Sequence, residues 1–188
     1  MISSDVNTAG LFAGSRIVAA VRTRAEWEAT WSSPVKNVFL LGGTISELPF
    51  TVAEAREHGK RLFVHADRVE GLGHDAAAVE FIARLAPFGV ISTHAPVVKR
   101  AGAAGLCTVL RFFIVDGQSV ATALETLSQT RPDYAELMPG LVCKTIRTFA
   151  DTGIPVIAGG LVTTRAEADD ALAAGAVAVS TSAAALWG

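Results

Sequence analysis

Apolar residues in this chain fall into eight short, nearly continuous runs separated by longer stretches of mixed character. The runs are Arg16–Val21, Asn37–Leu41, Arg61–Ala66, Gly89–Ser92, Cys107–Val115, Asp133–Met138, Pro155–Ala158 and Ala176–Ser180. Runs that are apolar on consecutive residues suit strands buried on both faces of a parallel sheet. The stretches between them carry helical spacing. Helices are expected at Ala25–Thr30, Phe50–His58, Asp75–Pro87, Ala95–Ala104, Val120–Thr130, Pro139–Asp151 and Thr164–Ala174. In the third, Val79, Ile82 and Ala86 share the buried side, and Asp75 stands where an N-cap belongs. Trp27 and Trp31, four apart, read as packing against the sheet.

Strand and helix alternate eight times, with no separate β or α block and no linker. That pattern predicts an α/β fold, and eight repeats predict a closed (β/α)8 TIM-type barrel. At 188 residues the barrel must be compact, with short loops and a truncated last helix. The whole chain, 1–188, reads as one domain, with 1–15 a mobile lead-in. An open doubly wound sheet is the alternative architecture.

Composition narrows the picture. Apolar residues make up 51% and mean hydropathy is +0.41, which supports a large core and argues against disorder. No apolar run is long enough for a membrane span, and the N-terminus has no signal-peptide pattern, so a cytoplasmic location is expected. Cys107 and Cys143 read as free thiols in a reducing compartment. A net charge of −2 provides no global attraction to nucleic acid.

In a barrel, chemistry sits at the C-terminal ends of the strands. The last βα unit places Gly159-Gly160 after strand 7 and Ser180-Thr181-Ser182 after strand 8, with Ala183–Trp187 as a short helix. Glycines let backbone N–H groups approach an anion and hydroxyls add donors, so this pair of loops reads as a phosphate site; a plain tight turn is the bland alternative. Arg111 lies inside C-T-V-L-R-F-F-I-V, where a guanidinium needs a partner. Glu136 and Asp67 are the candidates. Lys144, near the start of its helix, suits an anion. His65 and Asp67, two apart, would share a strand face and project into the mouth. His-x-Asp suits a metal, but no third ligand is evident by spacing, and none is assigned; His58 and His74 read as solvated.

The motifs V-H-A-D-R-V-E-G-L (64–72), G-V-I-S-T (89–93), R-F-F-I-V-D (111–116), E-L-M-P-G (136–140), P-V-I-A-G-G-L (155–161) and A-V-S-T-S (178–182), taken together and in order, resemble the glycerol-3-phosphate-responsive antiterminators of bacterial glycerol uptake operons. The resemblance implies a cytoplasmic regulator without a cofactor. Its effector would be glycerol 3-phosphate and its partner a leader mRNA, read through past a terminator. It leaves a homo-oligomer open. Carried onto this sequence, the phosphate would lie against Gly159, Gly160, Thr181 and Ser182, with Lys144 and Arg111 adding positive charge. His65, Asp67 and Glu136 would surround the glycerol end. His94 stands where a basic residue is common in the family. The alternative from another class is an isomerase or lyase acting on a small sugar phosphate, with Asp67, His65 or Glu136 as acid and base.

Overall fold

A computed structural model of the chain describes residues 10–188. Eight parallel strands close into a barrel in sequence order, β1 to β8, with β8 paired back onto β1. They are β1 (Ile17–Val21), β2 (Asn37–Leu40), β3 (Arg61–His65), β4 (Gly89–Ser92), β5 (Cys107–Phe113), β6 (Tyr134–Met138), β7 (Val156–Gly159) and β8 (Ala178–Thr181). Among the described residues seven α-helices cover the outside: α1 (Arg24–Ala29), α2 (Leu48–Glu57), α3 (Ala76–Leu85), α4 (Ala95–Ala103), α5 (Gly117–Thr130), α6 (Cys143–Ala150) and α7 (Arg165–Ala173). The expected short last helix is one 3-10 turn, Ala184–Leu186. Closure excludes the open doubly wound sheet.

Local chemistry sets where the helices start. Thr23 with Glu26, and Thr164 with Glu167, form capping boxes; Asp116 with Ser119 forms a third, and Asp75 accepts from Ala78 N–H. Three expected helices shift for local reasons. α2 starts two residues early because Pro49 is tolerated in a first turn. α5 starts at Gly117, directly after its Asp116 cap. α6 starts later than expected, because Gly140 N–H donates to Gly159 O (2.6 Å) and Gly160 O (3.1 Å) and holds that segment against the end of β7.

Alternate strand residues fill the barrel. Val18, Ala20, Phe39, Phe63, Ile91, Val109, Tyr134, Ile157 and Ala178 form one apolar cluster inside it. The outward residues pack under the helices, where Trp27 is buried as expected. Residues 1–9 of the expected mobile lead-in lie outside the described residues. The rest of that stretch corrects the expectation: Leu11 and Phe12 are buried in the interior cluster, and the Phe12 ring meets Tyr134 edge-on at 5.1 Å. Arg61 ties this segment down by donating to Leu11 O at 3.0 Å. No helix among the described residues is long and apolar enough to cross a membrane.

Candidate functional site

Two positions beyond the apolar layer, the same strands change character. Val109 gives way to Arg111 on β5, Tyr134 to Glu136 on β6, Phe63 to His65 on β3 and Ala178 to Ser180 on β8. The register sets Arg111 opposite Glu136 and Ser180 opposite Gly159. Arg111 Nε donates to Glu136 Oε2 at 2.6 Å, and Ser180 Oγ donates to Glu136 Oε1 at 2.6 Å. Arg111 is thus paired with Glu136, not Asp67. All four side chains are buried, Glu136 completely. They form a charged floor beneath the mouth, in which each oxygen of Glu136 already accepts one hydrogen bond. Among the described residues no acceptor meets the two Nη groups of Arg111, and neither is a fully buried orphan.

His65 is buried and its Nδ1 has no hydrogen-bond partner. Burial, and then the positive charge of Arg111, push its pKa down to about 3, against a weaker upward pull from Asp67. The imidazole is therefore neutral near pH 7. Asp67 does not continue the strand. β3 ends at His65, and Ala66–Arg68 forms one 3-10 turn, so the two-residue period no longer applies. The carboxylate swings toward the end of β4, where it accepts from Ser92 Oγ (2.5 Å), Thr93 N–H (2.7 Å) and Thr93 Oγ1 (2.7 Å). Its burial pushes its pKa up, but these hydrogen bonds outweigh that and hold it below the usual carboxylate range. His65 Nδ1 lies 4.0 Å from it.

The phosphate candidates divide. Gly159 abuts the charged floor: a Cβ there would overlap the Glu136 carboxylate and come within 2.6 Å of Ser180 Oγ. Gly160 turns the chain with φ +72°, and a Cβ would meet Met138 Cε at 2.6 Å. Thr181 faces away from the mouth. Its hydroxyl donates to Val162 O (2.7 Å) and accepts from Ala183 N–H (3.0 Å), while its carbonyl accepts from Trp187 Nε1. Alternation along β8 aims Ser180 inward and Thr181 outward, which the string S-T-S left unresolved. Ser182 is exposed, just before the 3-10 turn. Lys144 is exposed in the first turn of α6, and among the described residues it has no ion-pair partner. The end of β5 adds exposed Phe113, and the loops after β5, β6 and β7 add exposed Val115, Leu141, Val142 and Leu161 around this side of the mouth.

Two residues outside the expected site set lie beside Asp67. His94, at the N-cap of α4, sets Nδ1 3.4 Å from Asp67 Oδ1, and His74, in the loop before α3, sets Nε2 at 3.8 Å. Their rings stack with centroids 4.4 Å apart. Seven and twenty-seven residues from Asp67, they follow no spacing rule; only the β3–β4 neighbourhood in a closed barrel joins them.

Fold and site define a parallel eight-stranded barrel with a charged floor at its C-terminal mouth. The profile of the glycerol-3-phosphate responsive antiterminator family matches residues 17–187, and the chain belongs to that family. It is 32% identical over 173 residues to the protein YgcP of Escherichia coli K12, covering 91% of each chain. Among solved structures it is similar to the glycerol uptake operon antiterminator regulatory protein of Listeria monocytogenes (29% identity, TM-score 0.89, 92% and 94% of the two chains). It is also similar to a glycerol uptake operon antiterminator-related protein of Thermotoga maritima (33% identity, TM-score 0.83, 91% and 96%).

Proposed function

We propose that the C-terminal mouth of this barrel binds glycerol 3-phosphate, and that the occupied form binds leader mRNA in the cytoplasm and lets transcription pass a terminator. The observation that carries the reading is Arg111, a buried guanidinium anchored through Nε alone, with two Nη groups that no protein acceptor among the described residues takes up. A phosphate oxygen is a natural partner for such a group. The phosphate would lie toward Gly160, Ser182 and Lys144, and neutral His65 with Asp67 would meet the glycerol hydroxyls. Glu136 would fix the orientation of Arg111 without touching the ligand. Membership of the family supports the effector and the regulatory role.

The reading is of a regulator rather than an enzyme. Glu136, the one fully buried carboxylate among the described residues, is committed to Arg111 and Ser180, which removes one of the three acid–base candidates, Asp67, His65 and Glu136, that an isomerase or lyase would use.

A thermal shift tests the ligand half. Glycerol 3-phosphate at about 100 times its dissociation constant should add about 2.7 kcal/mol of stability, and glycerol and inorganic phosphate serve as controls. A rise with glycerol 3-phosphate alone, lost in Gly160→Asp, is expected. No rise with any of the three removes the site. The RNA half is tested by leader-RNA affinity with and without the effector, since coupling of this kind must be reciprocal. Equal affinities would sink it.

A further inference from the structure

Of the four histidines in the chain, three converge on one carboxylate. His94 Nδ1, His74 Nε2 and His65 Nδ1 lie 3.4, 3.8 and 4.0 Å from the oxygens of Asp67. Among the described residues no lysine or arginine pairs with Asp67, so its charge is met only by imidazoles and by the donors of Ser92 and Thr93. We propose that Asp67, His74 and His94 form a binding site for a divalent transition-type cation, zinc foremost, at the β3–β4 edge of the mouth.

The donor atoms of the three residues all lie within 4.8 Å of one another. A tetrahedral zinc ion with bonds of about 2.0–2.1 Å requires donors about 3.3–3.4 Å apart. The 3.4 Å Asp67–His94 spacing meets that already, and the 3.8 Å Asp67–His74 spacing needs a small approach. The remaining adjustment falls on two half-exposed side chains in loop and N-cap positions, whose stacked rings would shift together and whose His94 Nδ1 would exchange its contact with Thr93 Oγ1 for the ion. Asp67, by contrast, is fixed. Ser92 and the Thr93 backbone and hydroxyl hold its carboxylate from behind, the kind of outer support that orients a metal-ligating group. Two imidazoles and one carboxylate select zinc and its neighbours over magnesium or calcium, which prefer oxygen alone. Three protein donors leave one position of a tetrahedral ion open, for water or a small oxygen ligand. His65, with its unpartnered Nδ1 on the inner side, supplies a hydrogen-bonding neighbour to whatever occupies that position.

This site does not depend on the effector reading; Asp67 is the one proposed cation ligand that the effector reading also uses, with His65 a neighbour in both. The test uses zinc alone on the intact, chelator-stripped protein, with glycerol 3-phosphate binding measured separately on the metal-free form. Calorimetric titration with zinc chloride should show one ion per chain. His74→Ala and His94→Ala should each weaken binding at least tenfold, the range expected on losing a ligand, with far-UV circular dichroism confirming the fold. His58→Ala and Cys143→Ser, remote from the cluster, should bind as the parent does. Absence of stoichiometric uptake, or parental affinity in either the His74 or the His94 variant, overturns the site.

Discussion

The two ends of the barrel interior are built on the same strands and differ in what they are for. At the base Phe39, Phe63 and Tyr134 interlock with Leu11 and Phe12 of the lead-in. The Phe39 and Phe63 rings lie 5.3 Å apart, edge to face. One inward position further along, about 6.6 Å by strand geometry, Phe63 becomes His65, Val109 becomes Arg111 and Tyr134 becomes Glu136. The base is chiefly apolar, with Asn37 the buried polar side chain on the same strand face as Phe39. The floor of the mouth carries a charged pair whose burial is costly, and a simple demand for stability would favour apolar residues there. A buried ion pair at the C-terminal end of the interior suits an external requirement at that end, and the proposed anionic effector would supply it.

The largest effect expected from breaking this contrast is at Glu136. Glu136→Ala leaves the Arg111 guanidinium buried without its counter-charge, at a cost of about 3–5 kcal/mol in chemical denaturation. A cost below about 1 kcal/mol would mean that solvent already reaches the pair. Phe63→Ala at the base should cost a comparable amount, about 3–5 kcal/mol, through its cavity. The two differ in the ligand: Phe63→Ala should keep the thermal response to glycerol 3-phosphate.

The double change Arg111→Met with Glu136→Leu sharpens the comparison further. Turning the floor into a second apolar layer should leave stability within about 1–2 kcal/mol of the parent, or raise it. The ligand-induced gain, about 2.7 kcal/mol at 100 times the dissociation constant, should vanish. A double variant that still responds to glycerol 3-phosphate would release Arg111 from the ligand role.

His65 supplies a pH test of the same floor. The unfolded chain takes up a proton on this imidazole below about 6.5, whereas the folded chain resists until about 3. The unfolded state then binds more protons, so this group lowers stability as pH falls through that window, by about 1.4 kcal/mol per pH unit. Asp67 acts lower. Its depressed pKa contributes stability above the ordinary carboxylate value and loses it as pH falls through the folded value. Between pH 6 and 4.5, His65→Gln should flatten the slope of stability against pH by about one proton's worth. An unchanged slope means His65 is not held neutral.

The fold was almost wholly legible. Each strand announced itself as a continuous apolar run, and eight such runs alternating with helical spacing admit few closures. The start of α3 was legible because Asp75 was read as its cap, whereas that of α5 was placed three residues late because Asp116 was not. The site was legible only in part, because its members are joined by tertiary neighbours. Arg111 stood out as a charge in an apolar strand, and its partner Glu136 follows once β5 and β6 are adjacent. His74 reads as a solvated loop residue and His94 only as the residue that follows β4; no spacing ties either to Asp67, and only the turn at Ala66–Arg68 brings the carboxylate to them.

The S-T-S string at the end of β8 gives the smallest and sharpest test, because neighbouring hydroxyls serve opposite sides of the sheet. Thr181 bonds outward to Val162 O and Ala183 N–H. Thr181→Val keeps the shape and removes the hydroxyl, leaving a buried carbonyl and an amide without their partner. The expected cost is about 1–2 kcal/mol in urea denaturation, with the thermal response to glycerol 3-phosphate intact. Ser182 is exposed, so Ser182→Ala should change stability by less than about 0.5 kcal/mol while weakening the effector severalfold in a titration. The reverse pattern, with Thr181→Val losing the ligand and Ser182→Ala keeping it, would mean that β8 presents the other face to the mouth when the effector binds, and the division between structural and ligand-facing residues would have to be drawn one position along.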